Sequence, residues 1–141
     1  MNSERQFNFI LVEDELFAQI IGRHVVENAG HFLDVADSAE QALALFEKNQ
    51  YDLIFLDLGL PVMSGLELCK KLITEMNITT PIVAVTAFDA MSKKKECLEN
   101  GFSDFMEKPF DDDKFKKILE KFLISFSVCV TEDALLTDDT L

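Results

Sequence analysis

Leu53-Ile54-Phe55-Leu56-Asp57 is an unbroken apolar run that ends on an acid. A strand with one wet face alternates apolar and polar residues. An uninterrupted run fits a strand covered on both faces, as in parallel sheets. Surface aspartates are usually just solvated, but one that closes a buried run lies where a sheet meets its crevice. Working outward, Ile82 to Val85 is a second run of this kind, closed by Thr86. Phe7 to Val12 is a short apolar run broken at Asn8, also a strand candidate, followed by Glu13 and Asp14. Leu33 and Val35 alternate with polar neighbours and predict a less buried strand, and Phe105 and Met106 predict a short last one.

Helical patterns separate these strands. Residues 15–29 carry apolar positions at Leu16, Phe17, Ile20, Ile21 and Val25, with His24 expected to border the buried face and Gly30 to cap the end. Ser38 and Gln41 have capping-box spacing ahead of Ala42, Leu45 and Phe46. Ser64 and Glu67 repeat it ahead of Cys69, Leu72, Ile73 and Met76. A further helix carrying Met91, Lys95 and Leu98 should stop near Gly101. Phe115, Ile118, Leu119, Phe122 and Phe126 mark the last helix, with Asp111, Asp112 and Asp113 at its start, where the helix dipole favours anions. Strand and helix thus alternate five times. That order predicts an α/β fold, a doubly wound parallel sheet with helices on both faces. Residues 1–126 form one expected domain, and 127–141 an acidic C-terminal tail expected to be flexible.

The chain has 141 residues, enough for one domain, and 48% are hydrophobic, enough for a core. Its net charge of −13 argues against nucleic-acid binding, which needs a basic footprint. No apolar stretch approaches the ~18 residues of a membrane span. The start, Met1 to Arg5, lacks the apolar core of a signal peptide, so a cytoplasmic location is expected. Cys69, Cys97 and Cys129 are odd in number and far apart, which fits reduced thiols better than disulfides or a metal site. The glycines, at 22, 30, 59, 65 and 101, form no nucleotide-binding loop.

The chemistry-bearing residues collect at strand ends. Glu13 and Asp14 follow the first strand, Asp57 ends the third, Thr86 the fourth, and Lys108 follows the fifth. Open parallel sheets bind ligands beyond the carboxyl ends of their strands, so these residues should share one crevice. Three crowded carboxylates repel one another, and a hard divalent cation resolves the repulsion. Mg²⁺ suits such oxygen ligands, with Mn²⁺ able to substitute. Glu13, Asp14 and Asp57 could supply one to three ligand oxygens, directly or through water, with the backbone carbonyl of Gly59 a plausible addition. Lys108 adds a positive charge suited to a phosphoryl oxygen, Thr86 a hydroxyl donor, and small Ala87 leaves access beside its N–H. A carboxylate nucleophile, a cation site, an ammonium and a hydroxyl are the parts that phosphoryl transfer needs. The plainer reading, a salt bridge between Lys108 and the acids, would suffice for any one residue alone.

The chain resembles the receiver domains of bacterial two-component response regulators. The likeness rests on Leu11-Val12-Glu13-Asp14-Glu15, on Leu56-Asp57-Leu58-Gly59-Leu60-Pro61-Val62-Met63-Ser64-Gly65, on Pro81-Ile82-Val83-Ala84-Val85-Thr86-Ala87, and on Lys108-Pro109-Phe110. It runs from residue 9 to about 124. The resemblance implies a flavodoxin-like strand order, 2-1-3-4-5, and a cis Lys108–Pro109 bond. It implies phosphorelay signalling: Asp57 accepts a phosphoryl group from the phosphohistidine of a histidine kinase or histidine phosphotransfer domain. It also implies that Asp14 is the main acidic Mg²⁺ ligand, that Glu13 often acts through water, and that a downstream protein reads the changed surface. Thr86 and Phe105 are the implied switch pair, with Phe105 standing where many receivers carry tyrosine; bland core packing is its rival role. The resemblance also implies that the residues two beyond Asp57 and two beyond Thr86, here Gly59 and Phe88, lie near the path of the hydrolytic water. Neither has a polar side chain to orient that water, so slow self-dephosphorylation is expected. The segment from Cys97 to Phe102 is similar to receivers fused to hybrid sensor kinases.

Two other classes fit less well. A phosphatase of the haloacid dehalogenase-like kind needs a second acid two residues past the nucleophile, where this chain has Gly59. A binding module that has lost phosphorylation would lack Asp57 or Lys108, and both are present. The expectation is therefore a phosphoacceptor regulator that assists its own phosphorylation, rather than an enzyme with a separate substrate.

Overall fold

The computed structural model describes residues 5–87, 95–96 and 98–124. Strand β1 is Asn8–Val12, β2 Phe32–Ala36, β3 Leu53–Asp57, β4 Ile82–Thr86 and β5 Asp104–Glu107. Helices α1 (Leu16–Asn28), α2 (Ala39–Lys48) and α3 (Gly65–Thr74) join the first four strands. Residues 95–96 and 98–99 are helical, and a C-terminal helix covers 112–124. Phe88, Met91, Cys97, Phe126, Cys129 and the tail 127–141 lie outside the described residues.

All strand pairs are parallel, and the sheet order is β2-β1-β3-β4-β5. This is the flavodoxin-like arrangement. Side chains alternate across the sheet, so each strand feeds both cores. Ile10, Val12, Ile54, Leu56, Ile82 and Ala84 pack with α2 and α3. Phe9, Leu11, Leu53, Phe55, Val83 and Val85 pack with α1 and with Phe115 and Leu119 of the C-terminal helix. All five residues of β3 and of β4 are buried, as their apolar runs predict. Edge strand β2 is wetter, in line with its alternation.

Helix ends follow local chemistry. Ser64 and Glu67 make a reciprocal capping box at α3. Ser38 caps α2 by accepting from Gln41 N–H, but the Gln41 side chain accepts from Asp37 N–H, so that pair is not reciprocal. Gly30 follows α1 with φ +86°, and Gly101 has φ +100°, the left-handed conformation that glycine tolerates.

Helix α1 departs from its expected stripe. Its buried residues are Ala18, Ile21, Gly22, Val25 and Val26. Leu16, Phe17 and Ile20 are 69%, 68% and 55% exposed. Hydropathy misleads because the helix seats its smallest residues inward. A side chain at Gly22 would meet Leu11 Cδ2 at 2.8 Å, so close packing fixes which face turns in. His24 is likewise not at the buried border: its side chain is 58% exposed and lies 3.6 Å from Asp112.

Candidate functional site

The strand order reverses direction between β1 and β3, which opens a crevice at their carboxyl ends. Glu13 and Asp14 leave β1 there, and Asp57 ends β3 beside them. Glu13 is fully buried, Asp57 nearly so, and Asp14 exposed. One carboxylate oxygen from each of the three lies within 4.8 Å of the others.

Lys108 enters from the loop after β5. Its backbone N–H donates to Thr86 O at 2.6 Å, and the Lys108–Pro109 bond that follows is cis. The ammonium reaches Glu13 Oε2 at 2.9 Å and Asp57 Oδ2 at 3.3 Å. Asp57 Oδ1 accepts from Gly59 N–H at 2.9 Å. Thr86 is buried at the end of β4, one residue past Val85, the partner of Asp57 in the ladder. The expected residues Glu13, Asp14, Asp57, Gly59, Thr86 and Lys108 therefore meet at one end of the sheet. Phe105 sits further off, half-buried in β5 opposite Ala84 and packed on the core beneath α2 and α3.

The electrostatics suit a cation. Burial, reinforced by the Asp57 charge, raises the Glu13 pKa from 4.5 to about 7 against the opposing pull of Lys108 and the Glu15 N–H. Burial alone would lower Lys108, but its bond to Glu13 and the charge of Asp57 outweigh that and raise it. Glu13 Oε2 has two donors, Lys108 Nζ and Glu15 N–H, whereas Oε1 is buried without a partner among the described residues. An orphaned buried carboxylate oxygen is costly. A hard cation held by Glu13, Asp14 and Asp57 would satisfy it, so these residues fit an Mg²⁺ site.

Residues 9–120 match the family model described as the response regulator receiver domain. The chain belongs to the receiver domain family. It is 35% identical over 117 residues to the aerobic respiration control sensor protein ArcB of Escherichia coli, covering 82% of this chain and 15% of that protein. It is 32% identical over 120 residues to two-component response regulator 24 of Arabidopsis thaliana, covering 84% of this chain and 86% of that one. Among solved structures, chemotaxis response regulator CheY4 of Vibrio cholerae superposes with a TM-score of 0.78 at 27% identity, covering 84% of this chain and 99% of that one. The chain thus spans about a seventh of the sensor protein's length but most of the plant regulator's. Receivers work in two-component phosphorelay signalling, with aspartate phosphorylation and Mg²⁺ dependence as general family properties. No described helix is long and apolar enough to cross a membrane.

Three local features escaped the sequence reading. Glu15 places a carboxylate oxygen 3.6 Å from Lys108. Val62 has φ +69° in the loop after Asp57. Gly65 lies so close to Asp57 that an added Cβ would sit 2.4 Å from the Asp57 carbonyl oxygen. A glycine eight residues past Asp57, at the first position of a capped helix, was a signal available for the last.

Proposed function

We propose that Asp57 is the phosphoacceptor of this receiver, with Glu13, Asp14, Asp57 and the Gly59 carbonyl holding Mg²⁺, or Mn²⁺ in its place. The observation that carries this reading is the buried Asp57 carboxylate, 3.3 Å from the Lys108 ammonium and clustered with Glu13 and Asp14. When bound, the cation supplies positive charge to offset the crowded carboxylates and the phosphoryl oxygens. An Asp57 oxygen attacks the phosphorus, an O–P bond forms, and the P–N bond to the donor imidazole breaks with its electron pair going to nitrogen. Lys108 pairs with a phosphoryl oxygen, and Thr86 donates its hydroxyl to another.

The donor is a histidine kinase or histidine phosphotransfer domain. The exposed face of Leu16, Phe17 and Ile20, on the helix that starts two residues past Asp14, supports docking of such a partner beside the site. Movement of Thr86 toward the phosphoryl group, followed by inward rotation of half-buried Phe105, is the proposed switch, read by a downstream protein. Gly59 is a proposed brake on hydrolysis through its lack of a side chain. Among the described residues an added Cβ there would meet only Asp57 Oδ1, at 3.6 Å, so close packing does not demand glycine. Phe88, the other expected brake, lies outside the described residues.

The test is intact-mass analysis after incubation with acetyl phosphate and Mg²⁺. One added phosphoryl group is expected in wild type and none in Asp57→Asn. Labelling of Asp57→Asn at the wild-type rate would overturn the assignment. With beryllofluoride as phosphoryl mimic, NMR shifts at Phe105 are expected, and shifts confined to the surroundings of Asp57 would remove the switch. Gly59→Asn should shorten the lifetime of the phosphorylated state.

A further inference from the structure

Glu15 is the N-cap residue of α1, yet its side chain makes no capping hydrogen bond. Instead the carboxylate reaches across the rim of the crevice to Lys108, with Oε1 3.6 Å from Nζ. Its backbone N–H donates to Glu13 Oε2 at 3.0 Å, which fixes where the residue starts relative to the site. The two partners differ in exposure: the Lys108 side chain is 16% exposed and that of Glu15 59%. Lys108 therefore meets three carboxylates. Glu13 and Asp57 belong with Asp14 to the cluster that suits a cation. Glu15 stands outside that cluster, and its exposed carboxylate puts a negative charge beside the Lys108 ammonium.

We propose that Glu15 is a specificity-determining residue that ranks phosphodonors by charge. It holds Lys108 from the solvent side and adds negative charge above Asp57. Both effects disfavour a dianionic donor more than a singly charged, zwitterionic one. The inference rests on Asp57 as acceptor and deepens that reading.

Two small donors separate the effect from chemistry. With acetyl phosphate, a dianion, Asp57 attacks phosphorus and the P–O bond to the acetyl group breaks, releasing acetate with the bonding pair. With phosphoramidate, a zwitterion of net charge −1, the P–N bond breaks, and ammonia leaves with the bonding pair and the protons already on nitrogen. Both give the same aspartyl phosphate. Only the charge that must approach Glu15 differs.

The experiment compares wild type, Glu15→Gln and Glu15→Asp at saturating Mg²⁺, and measures Mg²⁺ affinity by titration calorimetry without donor. Removing one partly screened charge at this range should speed Glu15→Gln with acetyl phosphate by about three- to tenfold. Phosphoramidate should gain less, and added salt should shrink the gap. The Mg²⁺ affinity of Glu15→Gln should fall, because the lost charge attracted the cation while it repelled the donor. A merely structural role would move both in the same direction. Glu15→Asp keeps the charge and should keep the wild-type donor ranking. Unchanged donor ranking in Glu15→Gln, or a parallel loss of Mg²⁺ affinity and of both rates, would overturn the proposal. Asp57→Asn, run alongside, separates the two readings. Label persisting there removes the acceptor, whereas label lost there with Glu15→Gln unchanged removes only the role of Glu15.

Discussion

The Lys108 ammonium lies closer to Glu13, at 2.9 Å, than to Asp57, at 3.3 Å. Even so, the bond covers only one of the two Glu13 oxygens, and the other is buried without a donor among the described residues. Lys108 alone does not neutralise this corner of the crevice among the described residues, and the metal-free fold carries the strain of the remaining charge.

That strain has a pH signature. Burial first, and repulsion from Asp57 after it, raise Glu13 from 4.5 to about 7. An acid raised in the folded state contributes stability that is full below pH 4.5 and lost as pH rises through 7. Glu13→Gln carries no charge to bury and keeps an acceptor for Lys108 and the Glu15 N–H. In chelator, its stability relative to wild type should therefore grow across that window, by on the order of 2–3 kcal/mol. His31 acts in the opposite direction, because burial lowers its pKa and its contribution is lost as pH falls below 6.5. Taking the difference between the two proteins cancels the His31 effect. Denaturant titrations giving a difference that is flat with pH would refute the account.

Mg²⁺ should reverse the same penalty. At about ten times its dissociation constant the ion should add roughly 1.4 kcal/mol to wild-type stability. Asp14→Ala should lose most of that gain, since Asp14 is the exposed acid through which the crevice opens. Asp14→Ala without metal should be at least as stable as wild type, because it relieves repulsion. Equal Mg²⁺ affinity in Asp14→Ala and wild type, by calorimetry, would remove Asp14 from the site.

The strands and the strand-end residues were legible because burial on both faces leaves unbroken apolar runs, and Asp57 and Thr86 close two of them. The strand order came from resemblance rather than periodicity, since apolar runs do not say which strands are neighbours. Helix α1 was half legible. Its buried face is built on Ala18 and Gly22, which hydropathy underweights, while Leu16, Phe17 and Ile20 face outward. Glu15 was missed as a partner of Lys108 because the two lie 93 residues apart and meet only when β1 and β5 bring their ends to one side of the sheet.

Gly65 and Gly59 both lie against Asp57 but should respond differently to substitution. A Cβ at Gly65 would lie 2.4 Å from Asp57 O, 2.7 Å from Leu58 Cα and 2.9 Å from Asp57 C. These are backbone atoms with no rotamer to escape into. Gly65→Ala should cost about 2 kcal/mol or more and slow phosphorylation by shifting Asp57. Gly59→Ala should stay within about 0.5 kcal/mol of wild type. Thermal melts that rank the two variants in the reverse order would show that the start of α3 does not press on the end of β3.

Val62 is the strained point of the loop between Asp57 and α3. Its φ is +69°, its side chain is fully exposed, and Met63 N–H donates back across it to Pro61 O at 2.8 Å. Such a γ-turn is rare and strained, and a β-branched residue suits a positive φ poorly. Among the described residues the other non-glycine with positive φ is Asn77, a type that tolerates it. The valine side chain buries nothing, so replacing it forfeits no packing. Val62→Asn should therefore gain about 1 kcal/mol, or about 4 °C in Tm. Val62→Gly should gain less, because glycine also frees the unfolded chain by roughly 0.4–1 kcal/mol. Val62→Ile keeps the β-branch and should match wild type. The ranking Asn above Gly above Ile is the signature of backbone strain. If all three variants melt with wild type, the loop holds its turn without cost, and the strain assigned to Val62 is absent.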